Sequence, residues 1–138
     1  MKFSHISDTH LGLVQYGLEE REQDIYNSFN QAIDISINDK VDFVIFAGDV
    51  FHTPTPSGTA ILQMANALKR LKQNGIESFF VLGEHDISRI RTTPIPYVYH
   101  NLEFSKYIGF FIANKDVKHD LESHYILNKV NFEMYEIN

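Results

Sequence analysis

A chain of 138 residues has the size of one domain, and its 43% hydrophobic and 13% aromatic content excludes a disordered polymer. The absence of cysteine excludes disulfides, zinc ribbons and thiol catalysis. A formal net charge of -6 argues against a broad nucleic-acid-binding surface, unless bound divalent cations reverse the sign locally.

Lys2 to Ser7 reads as a short buried strand, and Leu11 to Leu18, with Gly12 and Gly17, as a loop. From Glu19 to Asn38, Ile25, Phe29, Ala32, Ile33 and Ile37 recur on roughly one helical face. Glu19, Glu20 and Glu22 crowd the first turn of that helix, where its dipole favours negative charge. Val41 to Ala47 is β-branched and aromatic, the composition of a central strand. The connector Thr53–Gly58 holds helix-start residues. Ile61, Met64, Ala65, Leu68 and Leu71 then keep helical spacing up to the stop signal Asn74-Gly75. Ile76 to Leu82 reads as a third strand, Pro94 and Pro96 as loop punctuation, and Tyr97 to Leu102 as a short helix.

Strand, helix, strand, helix, strand is the signature of a parallel α/β sheet flanked by helices. After Ser105 the pattern changes. Tyr107–Ala113, Tyr125–Leu127 and Asn131–Ile137 are expected to be antiparallel strands that begin a second layer, and the chain stops abruptly at Asn138. No apolar run reaches transmembrane length, and a strand begins directly after Met1. A soluble, cytoplasmic protein without signal peptide or membrane partner is therefore expected.

Three clusters follow the three strand-like runs: Asp8-Thr9-His10, Gly48-Asp49 and Gly83-Glu84-His85-Asp86. In open parallel sheets, ligands bind outside the carboxyl ends of the strands, so these groups are expected to converge at one edge. Carboxylate and imidazole donors suit divalent metals and the phosphate chemistry they support. Asp8 and His10 alternate around Thr9 and can chelate one ion. Asp49 has two oxygens and can bridge two ions roughly 3.5–4 Å apart. Gly48 and Gly83 remove side-chain bulk directly before the candidate ligands. Each cluster alone is weak, since an aspartate at a strand end is more often a helix cap and Gly-Asp is an ordinary turn. Their joint occurrence, in order and at successive strand ends, carries the metal reading.

In that order the clusters resemble the calcineurin-like metallophosphoesterase series: D-x-H, G-D, G-N-H-D/E, then a lone His and G-H-x-H. Met-Lys-Phe-Ser-His-Ile-Ser-Asp-Thr-His-Leu-Gly and Val-Asp-Phe-Val-Ile-Phe-Ala-Gly-Asp-Val-Phe-His are similar to the double-strand-break repair nucleases of the MRE/SbcD family, particularly archaeal ones. The resemblance is close through the third cluster and loose beyond it. It implies the start of a two-sheet sandwich and a DNA nuclease that hydrolyses phosphodiesters with a metal-activated water. Two divalent ions are implied, Mn2+ in preference to Mg2+. Asp8, His10 and Asp49 become metal ligands, Glu84 occupies a fourth ligand position, and His85 assists the leaving group. His52 matches a family histidine that handles the DNA phosphodiester. A coiled-coil ATPase partner is implied, as is a homodimer through helices in Ser57–Gly75 and Pro94–Leu102, with Leu62 and Ala65 as extra apolar positions.

Two departures bear on activity. Glu84 stands where the family has Asn, and its charge binds an ion more strongly while reducing Lewis acidity and repelling phosphate. The lone His and G-H-x-H are absent, since His100, His119 and His124 lack the glycine and strand context. Residues 1–138 are therefore expected to be the N-terminal portion of a nuclease domain, incomplete or inactive alone. The alternatives are another metallophosphoesterase, a phosphatase or phosphodiesterase, or a vestigial dimerisation and docking module.

Blander roles compete elsewhere. His5 is expected to be a hydrogen-bonded core histidine, and Asp86 to orient His85 or cap a turn. Arg89 and Arg91 suit either a phosphate clamp or solvated loop charges, and His52 suits substrate contact or a plain loop. Tyr16 is expected to pack rather than stack on a base, and Lys69, Arg70 and Lys72 to be solvated or dipole-paired.

Overall fold

Among the described residues, four parallel strands pair in chain order, each joined to the next by a helical crossover. The computed structural model describes residues 1–87 and 93–108. Its strands are β1 (Phe3–Ile6), β2 (Phe43–Ala47), β3 (Glu77–Val81) and β4 (Lys106–Tyr107). The register sets Phe3 beside Phe43, Phe43 beside Glu77 and Phe79 beside Lys106. The crossovers carry α1 (Glu19–Asn38), α2 (Gly58–Gln73) and α3 (Ile95–Asn101). Strand order advances in one direction, so crossovers of the usual right hand put all three helices on the same face.

That face holds the core. Val44 and Phe46 of β2 and Phe80 of β3 pack with Phe29 and Ile33 of α1 and with Met64, Leu68 and Leu71 of α2. Full burial of side chains of this size contributes roughly 1.5–3 kcal/mol each. The intervening strand residues face the other way and form an aromatic row. Phe3 stacks on Phe43 with ring centroids 5.2 Å apart, and Phe43 meets Phe79 edge-on at 5.9 Å.

The helices follow local chemistry. α1 begins at the acidic turn of Glu19, Glu20 and Glu22, without a side-chain cap from Leu18. Ser57 caps α2 by accepting the Ala60 N–H at 3.2 Å. The two helices are tied by an Arg70–Asp34 ion pair and by Asn30 donating to Gln63 at 3.0 Å, so Arg70 is engaged rather than merely solvated.

Several expectations are corrected. β1 is not buried: Phe3 and His5 are exposed while Ser4 and Ile6 are half-covered, because the helices shield only one side of a strand that, among the described residues, lies at the sheet's edge. His5 is therefore no core histidine. Pro96 lies in the first turn of α3, where its missing N–H leaves no helical bond unmade. Tyr107 belongs to a parallel strand of the same sheet, not to an antiparallel second layer, because the α3 crossover returns the chain beside β3. His100 accepts the Tyr107 N–H at 3.0 Å, which gives it a packing role. The strands expected at Tyr125–Leu127 and Asn131–Ile137, residues 109–113 of the run expected at Tyr107–Ala113, and His119 and His124 lie outside the described residues.

Candidate metal centre

Because β1, β2 and β3 run parallel, the segments leaving their carboxyl ends share one edge, and the backbone ladder continues into them. Asp8 N–H donates to Gly48 O at 3.2 Å, His10 N–H to Asp49 O at 3.0 Å and Leu11 N–H to Val50 O at 2.9 Å. Leu11, Val50 and Phe51 are buried and anchor both loops in the core. Thr9 donates its hydroxyl to Val50 O at 2.8 Å, which turns it away from the edge that Asp8 and His10 line.

The cluster stands in unusual backbone. Asp8, His10 and Asp49 have φ of 53°, 43° and 49°, the left-handed region that side chains disfavour. Strain of this kind persists where surrounding structure over-determines it and concentrates at functional sites. Two glycines make the arrangement possible. Gly48 has φ of 86°, and a Cβ there would stand 3.1 Å from Gly83 Cα. A Cβ on Gly83 would overlap the amide nitrogen and carboxylate of Asp49.

Asp86 fastens the loops together. Buried at 1% exposure, it accepts N–H groups from Gly83 at 2.9 Å, Phe51 at 3.2 Å and Val50 at 3.3 Å. Burial pushes its pKa up, against those hydrogen bonds, and the nearby Asp49 charge adds to the rise. Its role is to hold backbone rather than to orient the His85 ring. His85 Nδ1 instead lies 2.8 Å from the His52 carbonyl oxygen, and His85 N–H donates to Asp49 Oδ1 at 2.8 Å.

Ligand atoms of Asp8, His10 and Asp49 all lie within 4.8 Å of one another, a separation that fits one cation between them. His10 Nε2 is 4.0 Å from Asp8 Oδ1. A second group, His10, His52 and His85, meets the same limit. His52 has its pKa lowered, first by burial and then by the neighbouring His10 and His85 rings, which favours its neutral form. Glu84 is exposed at the start of the short turn Glu84–Asp86 and joins neither group. Arg89 and Arg91 lie outside the described residues.

Sequence reasoning assigned His52 and His85 separate tasks and did not foresee that they gather with His10. The Asp49-x-x-His52 spacing was the available signal. Gln15 and Arg21 line a hollow beside Asp8. Tyr16 is 81% exposed, which removes the packing role expected of it.

Carboxylates and imidazoles gathered at the carboxyl edge of a parallel α/β sheet make a candidate divalent-metal centre on a helix-backed scaffold. The profile described as calcineurin-like phosphoesterase matches residues 1–134, and the chain belongs to that family. It is 49% identical over 86 residues to the DNA double-strand break repair protein Mre11 of Sulfolobus acidocaldarius, covering 62% of this chain and 22% of that protein. The Mre11 proteins of Thermoplasma acidophilum and Saccharolobus solfataricus are each 44% identical to it. Those matches run over 90 and 98 residues, 65% and 71% of this chain against 24% and 25% of theirs. The chain thus spans about a quarter of the length of these curated relatives.

Proposed function

We propose that residues 1–138 are the N-terminal portion of a manganese-dependent DNA nuclease of double-strand-break repair. The observation that supports it most is the convergence of Asp8, His10 and Asp49 in left-handed backbone at the edge where parallel sheets bind ligands. Similarity to the Mre11 proteins adds the substrate class. The donor set fits a hard or borderline divalent ion, so Asp8, His10 and Asp49 would hold it, with Glu84 reaching in from the rim. When bound, such ions neutralise phosphate charge and lower the pKa of a coordinated water. His85, when doubly protonated, is the proton donor to the departing oxygen: the His52 carbonyl engages the Nδ1 proton, which leaves the Nε2 proton to face substrate. His52, its neutral form favoured, contacts the phosphodiester beside it, and Arg89 and Arg91 are proposed to clamp flanking phosphate.

The proposed assembly is a homodimer that works with a coiled-coil ATPase in the cytoplasm. Leu62 on α2 and Val98 and Leu102 on and after α3 are 59%, 37% and 58% exposed, an apolar surface on neighbouring helices that suits self-association. No helix among the described residues is long and apolar enough to cross a membrane.

The test is manganese-dependent cleavage of linear duplex DNA by the full-length protein, with activity lost in His85→Ala. Hydrolysis of p-nitrophenyl esters without DNA cleavage would instead favour a phosphatase. Glu84, exposed and outside both groups, favours a second reading in which the centre is vestigial and the chain a docking module. Cleavage by the wild-type protein would reject that reading.

A further inference from the structure

We infer that His10, His52 and His85 form a second, all-nitrogen site for a zinc-type cation, filled in alternation with the carboxylate site through the shared His10. One ring nitrogen from each histidine lies within 4.8 Å of the other two. Ring centroids are 4.9, 5.4 and 5.5 Å apart, with His10 edge-on to both partners and His52 stacked on His85. His10 Nδ1 and His52 Nδ1 are separated by 3.4 Å. Two nitrogens bound to one tetrahedral zinc at ~2.0–2.1 Å stand roughly 3.3–3.4 Å apart. A hydrogen bond to nitrogen or oxygen is shorter, with a usual N···O separation of ~2.9–3.0 Å. The His10–His52 spacing thus matches that of two ligands on one ion.

His85 is prepared in the same sense. Its Nδ1 lies 2.8 Å from the His52 carbonyl oxygen, which puts the ring proton on Nδ1 and the lone pair on Nε2. A backbone carbonyl on the far nitrogen is the usual companion of a metal-bound histidine. Three neutral imidazoles without a carboxylate select zinc, copper or nickel over manganese and magnesium, which prefer oxygen. Three protein ligands leave a fourth tetrahedral position for solvent.

The alternation follows from the tautomers of His10. Nε2 faces Asp8 at 4.0 Å and Nδ1 faces His52 at 3.4 Å, yet a neutral imidazole has only one lone pair. With that pair on Nε2, His10 serves the carboxylate group; with it on Nδ1, the histidine group. Zinc in the second site also occupies His52 and His85, so it acts as an inhibitor that competes with manganese. That consequence rests on the nuclease function proposed above; the binding itself does not.

Cobalt(II) added to the metal-free full-length protein is the probe, since tetrahedral cobalt absorbs visible light far more strongly than octahedral cobalt. One equivalent should give intense bands that zinc abolishes, and His52→Gln and His85→Gln should each weaken cobalt binding by about tenfold or more. Bound manganese, followed by its electron paramagnetic resonance, should persist in His52→Gln and be released from the wild type by one equivalent of zinc. Asp49→Asn should do the reverse, losing manganese and keeping the cobalt bands. Weak bands, or bands that vanish in Asp49→Asn and survive both histidine variants, would overturn the site. Simultaneous retention of zinc and manganese would overturn the alternation. If His52→Gln fails to fold by circular dichroism, the exposed His85 carries the test. Absence of DNA cleavage would end the nuclease proposal and leave the cobalt result standing.

Discussion

The helix-covered face of the sheet and its carboxyl edge follow opposite rules. On the covered face, Ile33, Met64, Leu68 and Phe80 are buried in regular helix and strand, and local preference agrees with the fold. At the edge, Asp8, His10 and Asp49 adopt left-handed backbone, which costs roughly 1–2 kcal/mol per residue and less for aspartate. Imidazoles and carboxylates crowd there instead of dispersing into solvent. The core supplies the stability that holds the edge in conformations it would not adopt alone.

Variants on the two sides should therefore separate stability from ion binding. The largest effect is expected in the core: Phe80→Ala should lower unfolding free energy by ~3–5 kcal/mol in urea titration. Asp49→Asn, which keeps an acceptor for the His85 N–H and tolerates the positive φ, should reduce manganese affinity by about a hundredfold or more in calorimetric titration, with the melting temperature of the metal-free protein nearly unchanged. Gly83→Ala joins the two regions, because its methyl must displace Asp49. We expect a loss of ~1–3 kcal/mol together with weaker ion binding, and a loss of one without the other would break the comparison.

Alkaline pH probes the covered face alone. Burial, reinforced by Glu22, pushes the Tyr26 hydroxyl from 10.0 up to about 12. Burial also raises Tyr99 and Tyr107. A raised folded-state pKa means that the unfolded chain ionises first. Stability from Tyr26 is thus complete below pH 10 and declines as pH rises through about 12, which thermal melts across that range will record. The smallest effect is expected for His10→Gly, which relieves a strained φ and loses a side chain at the edge. The metal-free protein should change by no more than ~1 kcal/mol in either direction.

Much of this division was legible from residue order. α1 begins at Glu19 and ends at Asn38, as the acidic first turn and apolar spacing indicate, and β2 and β3 lie inside their expected runs. Convergence at the edge followed from parallel strands, since each cluster directly follows a strand. What stayed hidden depends on neighbours distant in sequence. The exposure of His5 is decided by which face the crossovers cover, and the parallel pairing of Tyr107 by the path of α3. The meeting of His10, His52 and His85 depends on a ladder between loops, Leu11 beside Phe51, that no local pattern announces. Nor does any local pattern show that Asp86 binds the backbone of the loop after β2.

A crystal of the full-length protein soaked in manganese and measured at the manganese absorption edge addresses the carboxyl-edge centre directly. The expected result is an anomalous peak enclosed by the side chains of Asp8, His10 and Asp49. A saturated soak that leaves this position empty, or that labels only sites remote from it, would contradict it.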